Sequence, residues 1–188
     1  MQAPTIDDLQ KIFPEAPENA RIYSYPAIGV TPWAVCEWQH RRVNIHCRAA
    51  HWVAGIPTRS PDRGWPLYMA GSWETSGVFL VATEREASAL QRMGLDATTW
   101  HGGPSEMQWA DWGSLDGIGV MVWMSDAMAR QAARHLWRHC YVPASAGEPL
   151  QWLKSAWERH QGDSGKIRED VLWMAMEAPP LAKRAVGA

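Results

Sequence analysis

Cysteine is scarce in this chain: Cys36, Cys47 and Cys140 make an odd count with no framework spacing and no CxxC pair. That excludes a disulfide-stapled scaffold and suits reduced thiols in a cytoplasmic protein. Long apolar runs are missing too. No window approaches the roughly 18 apolar residues that a membrane helix needs, and the opening MQAPTIDDLQ has neither the basic nor the apolar region of a secretion signal. A cytoplasmic location with no membrane partner is therefore expected. No charge of one sign dominates: 18 Lys+Arg stand against 20 Asp+Glu, a formal net charge of -2. Without a global positive field, any binding to nucleic acid has to be local.

Low-complexity tracts and internal repeats are also absent. With 46% hydrophobic and 20% charged residues, the 188-residue chain has the composition of a globular protein with one main core. Phenylalanine is nearly missing, 2 residues against 13 Trp. Tryptophan can fill a core with its N–H bonded to a carbonyl, or stack on nucleobases, and composition leaves both uses open.

What is present changes character along the chain. TIDDLQKIF (residues 5–13) opens on a capping Thr5 and puts Ile6, Leu9, Ile12 and Phe13 on one face of a short helix. From Arg21 to Ile56, RIYSYPAI, PWAVCEWQ, RRVNIHCR and HWVAGI alternate between breaks at residues 29–32 and 40–42, which predicts a small antiparallel β-meander. TRSPDRG reads as a loop.

From Val78 onward short apolar runs alternate with helical stretches, the pattern of parallel βαβ units. VFLVA, LDATTW and the all-apolar IGVMVWM are expected strands, with IGVMVWM central. EREASALQRMG is an expected helix stopped by Gly94. Residues 126–139 are expected to be one helix, CYVP a last strand, and residues 150–160 and 167–176 two further helices before a frayed tail. The expected architecture is α/β (α+β overall): a mostly parallel sheet flanked by helices, preceded by the meander and followed by C-terminal helices. Its units are residues 1–64, 65–146 and 147–188, the last packed on the same core.

Four segments in order carry a resemblance: WPLY (residues 65–68), ATTWHGG (97–103), DWGSLDG (111–117) and VMVWMSD (120–126). Together they resemble the Toprim domain of phage- and plasmid-type DNA primases, over residues 65–140. The resemblance implies a Toprim-like sheet whose first strand ends in an EGEK-like tetrapeptide carrying a catalytic glutamate. It also implies a later strand ending in W-P-D-N-D, whose paired aspartates bind Mg²⁺. The physical logic is that hard carboxylate oxygens hold Mg²⁺, and positioned metal neutralises the charge that develops in phosphoryl transfer. Such carboxylates belong at the carboxyl ends of adjacent parallel strands.

This chain departs from that pattern. EGEK becomes Ala82-Thr83-Glu84-Arg85, so the position of the catalytic glutamate is Ala82, and the aspartate pair aligns with Met124-Ser125-Asp126, leaving one carboxylate. Glu84, Glu86 and Asp126 remain as catalytic candidates, with Asp126 also the one candidate Mg²⁺ ligand and Asp111 or Asp116 as supplements. Against this, Glu84 and Glu86 also suit the first turn of a helix, and Asp126 suits an N-cap, shared with Ser125. His101 before Gly102 and Gly103 reads either as a phosphate-facing turn or as a tight turn that needs glycine.

Two other groups of residues stand out in the meander. Cys36, His40, His46, Cys47 and His51 are zinc-ligand types, yet strand alternation points His46 and Cys47 to opposite faces. Arg41, Arg42 and Arg48, interleaved with Trp38 and Trp52 and joined by His101, are candidate nucleic-acid contacts, or else a solvated strand edge guarded by arginine.

The expected function is thus a primase-related, Toprim-like replication protein with a degenerate metal site, binding single-stranded DNA or RNA or a replication partner such as a helicase. The chain has no G-x-x-x-x-G-K-S/T loop, so unwinding would belong to that partner. The alternatives are an active metal-dependent nucleotidyltransferase with a rebuilt acidic site, and a protein-interaction module on a Toprim shell.

Overall fold

The computed structural model describes residues 3–57, 64–69, 73, 77–178 and 182–183. Helix α1 (Ile6–Ile12) starts as its sequence predicts: the Thr5 side chain accepts from the Asp8 N–H at 3.2 Å, and the Asp8 carboxylate accepts from the Thr5 N–H at 3.1 Å. This reciprocal cap satisfies donors that would otherwise be orphaned at the helix start. Four strands follow, β1 (Arg21–Ile28), β2 (Thr31–Trp38), β3 (Arg41–Arg48) and β4 (His51–Ala54), and pair antiparallel in that order.

The two-residue period of β2 decides how this sheet packs. Ala34, Cys36 and Trp38 point to one face, where they meet Ile45 of β3 and Leu9 of α1. Trp33 and Val35 point to the other, where Tyr23 and Tyr25 of β1 join them against the second half of the molecule. Strand β2 is therefore covered on both faces, which explains why its sequence is nearly continuously apolar.

The second sheet contains β5 (Gly77–Val81), β6 (Ala97–Thr98), β7 (Gly119–Trp123), β8 (Arg138–Tyr141) and β9 (Ala182–Lys183), in the order β6-β5-β7-β8-β9. The first four neighbours run parallel, and β9 is antiparallel to β8. Helices α2 (Glu84–Arg92), α4 (Pro149–Arg159) and α5 (Ser164–Met176) share a core with Phe79, Val81 and Trp123 on one face. Helix α3 (Asp126–Ala133) covers Val78, Leu80, Val120 and Val122 on the other, together with Trp100, Met107 and Leu115. The fold is thus mixed α/β, with one antiparallel four-stranded sheet and one mainly parallel sheet flanked by helices. The meander shares its core with α2, α4 and α5, because Tyr23, Tyr25, Trp33 and Val35 belong to the same buried cluster as Phe79, Leu90 and Leu153. Among the described residues no helix is long and apolar enough to cross a membrane.

Three expectations are corrected. The strand expected over residues 95–100 is reduced to Ala97–Thr98. The helix expected over residues 126–139 ends at Ala133, and β8 starts at Arg138. Ala129, Ala132 and Leu136 keep helical spacing and all reach one core, but Leu136 does so from the turn, after which pairing of β8 with β7 takes over. Of the tail expected to be frayed, Ala182 and Lys183 pair with the open edge of β8 as β9, while residues 179–181 and 184–188 lie outside the described residues.

Candidate functional site

Strands β5 and β7 run side by side and in register to their carboxyl ends, where Val81 lies opposite Trp123. Ala82 and Met124 are therefore neighbours as the chain leaves the sheet. A cleft of ≈ 420 Å³ opens beside them, at the carboxyl ends of β7 and β8, with Trp123, Asp126, Arg130, Tyr141 and Glu148 among its walls. Asp126 is exposed. It is the first residue of α3 and not its cap: Ser125 takes the cap position, and no side chain bonds the free N–H groups there. Asp111 and Asp116 bracket a separate 3-10 turn, Trp112–Leu115.

The two glutamates of α2 point to different duties. Glu86 closes the helix start: its Oε2 accepts from the Ala82 N–H at 3.1 Å, the Thr83 N–H at 3.0 Å and the Thr83 hydroxyl at 3.1 Å. Burial pushes its carboxyl upward, the bonds from Thr83 oppose that, and the charge of Glu148 adds to it. Glu84, 1% exposed, lies in the seam between the two sheets. There Arg42 grips it with two bonds, Nη2 to Oε1 at 2.6 Å and Nη1 to Oε2 at 2.9 Å, and the Tyr25 hydroxyl donates to Oε1 at 2.5 Å. The same Arg42 donates to Glu37 at 2.6 Å. Burial alone would lower the Arg42 pKa, but its bonds to the two glutamates outweigh that and raise it. Burial, then the charge of Glu84, pushes the Tyr25 phenol well above its ordinary value.

His101 lies beside this pair. Its Nε2 meets Asn44 Oδ1 at 2.9 Å, and its ring packs 4.9 Å from Trp33, 5.2 Å from Trp65 and 6.0 Å from Tyr25, centroid to centroid. The glycine after it is required: Gly102 has φ +85°, and a Cβ there would come within 2.5 Å of Glu106 Cγ.

Burial, followed by the positive charge of Arg42, holds the His101 imidazole down to about 4 from 6.5, with Glu84 acting the other way. The unfolded chain would bind a proton below 6.5 that the folded chain refuses until about 4. The stability His101 confers is therefore complete above 6.5 and is lost as pH falls through that window. Discounted for solvent screening of a half-buried ring, the loss should be about 1–2 kcal/mol. His101→Gln should flatten that part of the profile in urea titrations at neutral and mildly acidic pH. Parallel profiles for the two proteins would refute this assignment.

The residues singled out for nucleic acid divide between the two faces of the meander. Trp38 is buried against α1, with the Arg41 guanidinium 5.2 Å above its ring and paired with Glu15. Trp52, opposite Cys47, lies half-buried on that same face. Arg42 and His101 belong to the seam. Arg48 is exposed at the end of β3, opposite His51. Of the zinc-type residues, Cys36 and Cys47 are buried on the α1 face, while His46 Nδ1 meets the Gly55 carbonyl at 3.1 Å on the other. His40 and His51 are exposed. Burial pushes the Cys36 thiol up to about 12. Among the described residues no three His, Cys, Asp or Glu side chains gather to hold a metal ion.

Tyr25, Asn44 and Glu37 went unmarked in the sequence. Their signal was the polar parity of β3: Arg42, Asn44 and His46 alternate with Val43, Ile45 and Cys47 and so look solvent-facing. In the folded chain that polar face is turned to α2 and to the turn at His101.

Comparison with protein-family models finds no match, and comparison with curated proteins finds none.

Proposed function

We propose that this chain is a Toprim-like, primase-related replication protein of phage or mobile-element type that binds single-stranded nucleic acid, or a replication partner such as a helicase, without running metal-dependent nucleotidyl transfer. One observation carries the reading. The two adjacent parallel strands end together at Val81 and Trp123, where the motif order calls for acids, yet Ala82 follows one and Met124-Ser125-Asp126 the other. The nearest glutamate, Glu84, is spent on Arg42 and Tyr25, and Glu86 is spent on the helix cap. A lone exposed aspartate is a poor Mg²⁺ site, because the ion keeps its waters unless several carboxylate or phosphate oxygens replace them.

The alternative of a rebuilt catalytic site is favoured by the cleft itself, where Asp126 and Glu148 are walls of the same space. Anisotropy of a labelled single strand across a salt series, with and without Mg²⁺, for the natural protein and Asp126→Ala, separates the two. Salt-sensitive binding indifferent to Mg²⁺ and to Asp126 is the expected result. Mg²⁺-dependent binding lost with Asp126 would install the enzyme instead. Absence of binding at low salt would leave a protein-interaction module, with exposed Trp137 and Trp173 as its natural contacts.

A further inference from the structure

A second pocket, ≈ 290 Å³, lies along the seam between β1 and α2, away from the cleft at the strand ends. Its rim carries three exposed guanidiniums, Arg21 from β1 and Arg85 and Arg92 from α2. Arg85, Ser88 and Arg92 follow i, i+3, i+7 spacing, so one face of α2 presents all three toward β1. None of the three arginines is in an ion pair among the described residues. Three unpaired cations around one depression repel one another unless an anion joins them.

The floor adds hydroxyls. Tyr68 and Ser88 share a hydrogen bond of 3.1 Å. Tyr23, 5% exposed, has a buried hydroxyl with no hydrogen-bond partner among the described residues. A buried hydroxyl left unmade costs on the order of 1–3 kcal/mol, so an orphan in a built pocket calls for a ligand. Neighbouring tyrosines show the contrast, since Tyr25 donates to Glu84 and Tyr68 meets Ser88, while Tyr23 on the same strand face as Tyr25 has no partner among the described residues. Burial, then the charge of Glu37, holds the Tyr23 phenol up to about 12, so it stays a donor at any ordinary pH. Glu37 and Glu84, the two carboxylates whose charge reaches it, are both already held by Arg42.

We propose that this pocket binds a phosphate group, terminal on a nucleotide or internal to a single strand, with Arg21, Arg85 and Arg92 supplying charge-assisted bonds and the Tyr23 hydroxyl supplying a neutral one. Guanidinium forks match phosphate oxygens in geometry as well as in sign. The site deepens the nucleic-acid reading by naming where the backbone is held, and its test separates the two. Arg41 and Arg42 of β3 are not needed for it, because both are already paired.

The test compares the natural protein with Arg85→Ala/Arg92→Ala and with Tyr23→Phe, using a labelled single-stranded oligonucleotide and a deoxynucleoside monophosphate as probes. Losing two charge-assisted contacts should weaken strand binding at least about tenfold. It should also lower the salt slope by about 1.4, at about 0.7 per contact on a single strand. Tyr23→Phe should weaken the same binding while leaving the unliganded protein at least as stable in a thermal melt, since it removes an unsatisfied hydroxyl. Displacement of the strand by the monophosphate assigns the site to a terminal phosphate, and resistance to it assigns the site to the diester backbone. If the arginine variant binds both probes as the natural protein does, the pocket is refuted and the nucleic-acid reading survives. If the natural protein binds the monophosphate but no strand, and the variant loses it, the pocket stands and the strand reading falls. Binding of neither probe overturns both.

Discussion

Glu84→Ala should lower the unfolding free energy by about 3 kcal/mol, because it removes the buried member of a part-buried ion pair and leaves Arg42 with Glu37 as its remaining carboxylate. The Glu84 side chain is 2% exposed and the Arg42 side chain 34%, so the guanidinium left behind could recover only part of its hydration. Tyr25 would lose its acceptor as well, leaving a second unsatisfied group in the seam. Urea denaturation at neutral pH reads the cost directly, and an unchanged m-value would show that the variant still unfolds as one unit. The pair itself is a poor source of net stability, since taking two charges out of water offsets most of their attraction. Arg42→Met combined with Glu84→Leu should therefore cost less than Glu84→Ala alone. A single-variant loss under about 1 kcal/mol, the range of exposed pairs, would mean that Glu84 is open to water.

Trp33→Ala should cost a similar amount, about 3–5 kcal/mol, for a different reason. Its side chain is 1% exposed, with ring centroids 4.3 Å from Tyr25 and 5.1 Å from Trp65, and its indole N–H donates to the Pro26 carbonyl at 2.9 Å. The cavity would open in the core common to the meander and the parallel sheet. The unfolding midpoints followed by far-ultraviolet circular dichroism and by tryptophan fluorescence should consequently move together. A transition that splits in two, with only part of the signal shifted, would show that residues 1–64 fold apart from residues 65–146.

Trp33 and Trp100, both 1% exposed, also answer the question raised by the tryptophan excess. Both donate to backbone carbonyls, Trp33 to Pro26 and Trp100 to Gly103, and Trp123 does the same to Gly147. These are core residues with satisfied N–H groups. Trp109, Trp137, Trp157 and Trp173, from 43% to 68% exposed, are the ones left for contact with other molecules.

Much of the architecture was legible from local pattern. Thr5 and the apolar spacing after it announced α1, strand alternation and turn residues marked β1 to β4, and the apolar runs at residues 78–82 and 118–124 marked the two central strands. Shorter pieces were not legible, since Ala97–Thr98 is too brief for a period and the helical spacing through Leu136 outlasts α3. The site was legible in part. Ala82 and the lone Asp126 could be set against the motif order, but the destination of Glu84 could not.

What the sequence determined by itself was the apolar side of each element, because a period of two or of 3.6 needs only neighbours in the chain. It also determined that Ala82 carries no acid and that Asp126 is the one acid within positions 124–126. Only the tertiary structure decided what the polar sides meet. Arg42 and Glu84 lie 42 residues apart in sequence, and Tyr23 lies far along the chain from Arg85 and Arg92. Their meeting depends on how the meander is laid against α2. A polar face written for water and one written for another polar face carry the same pattern in sequence, and the packing of the two sheets separates them.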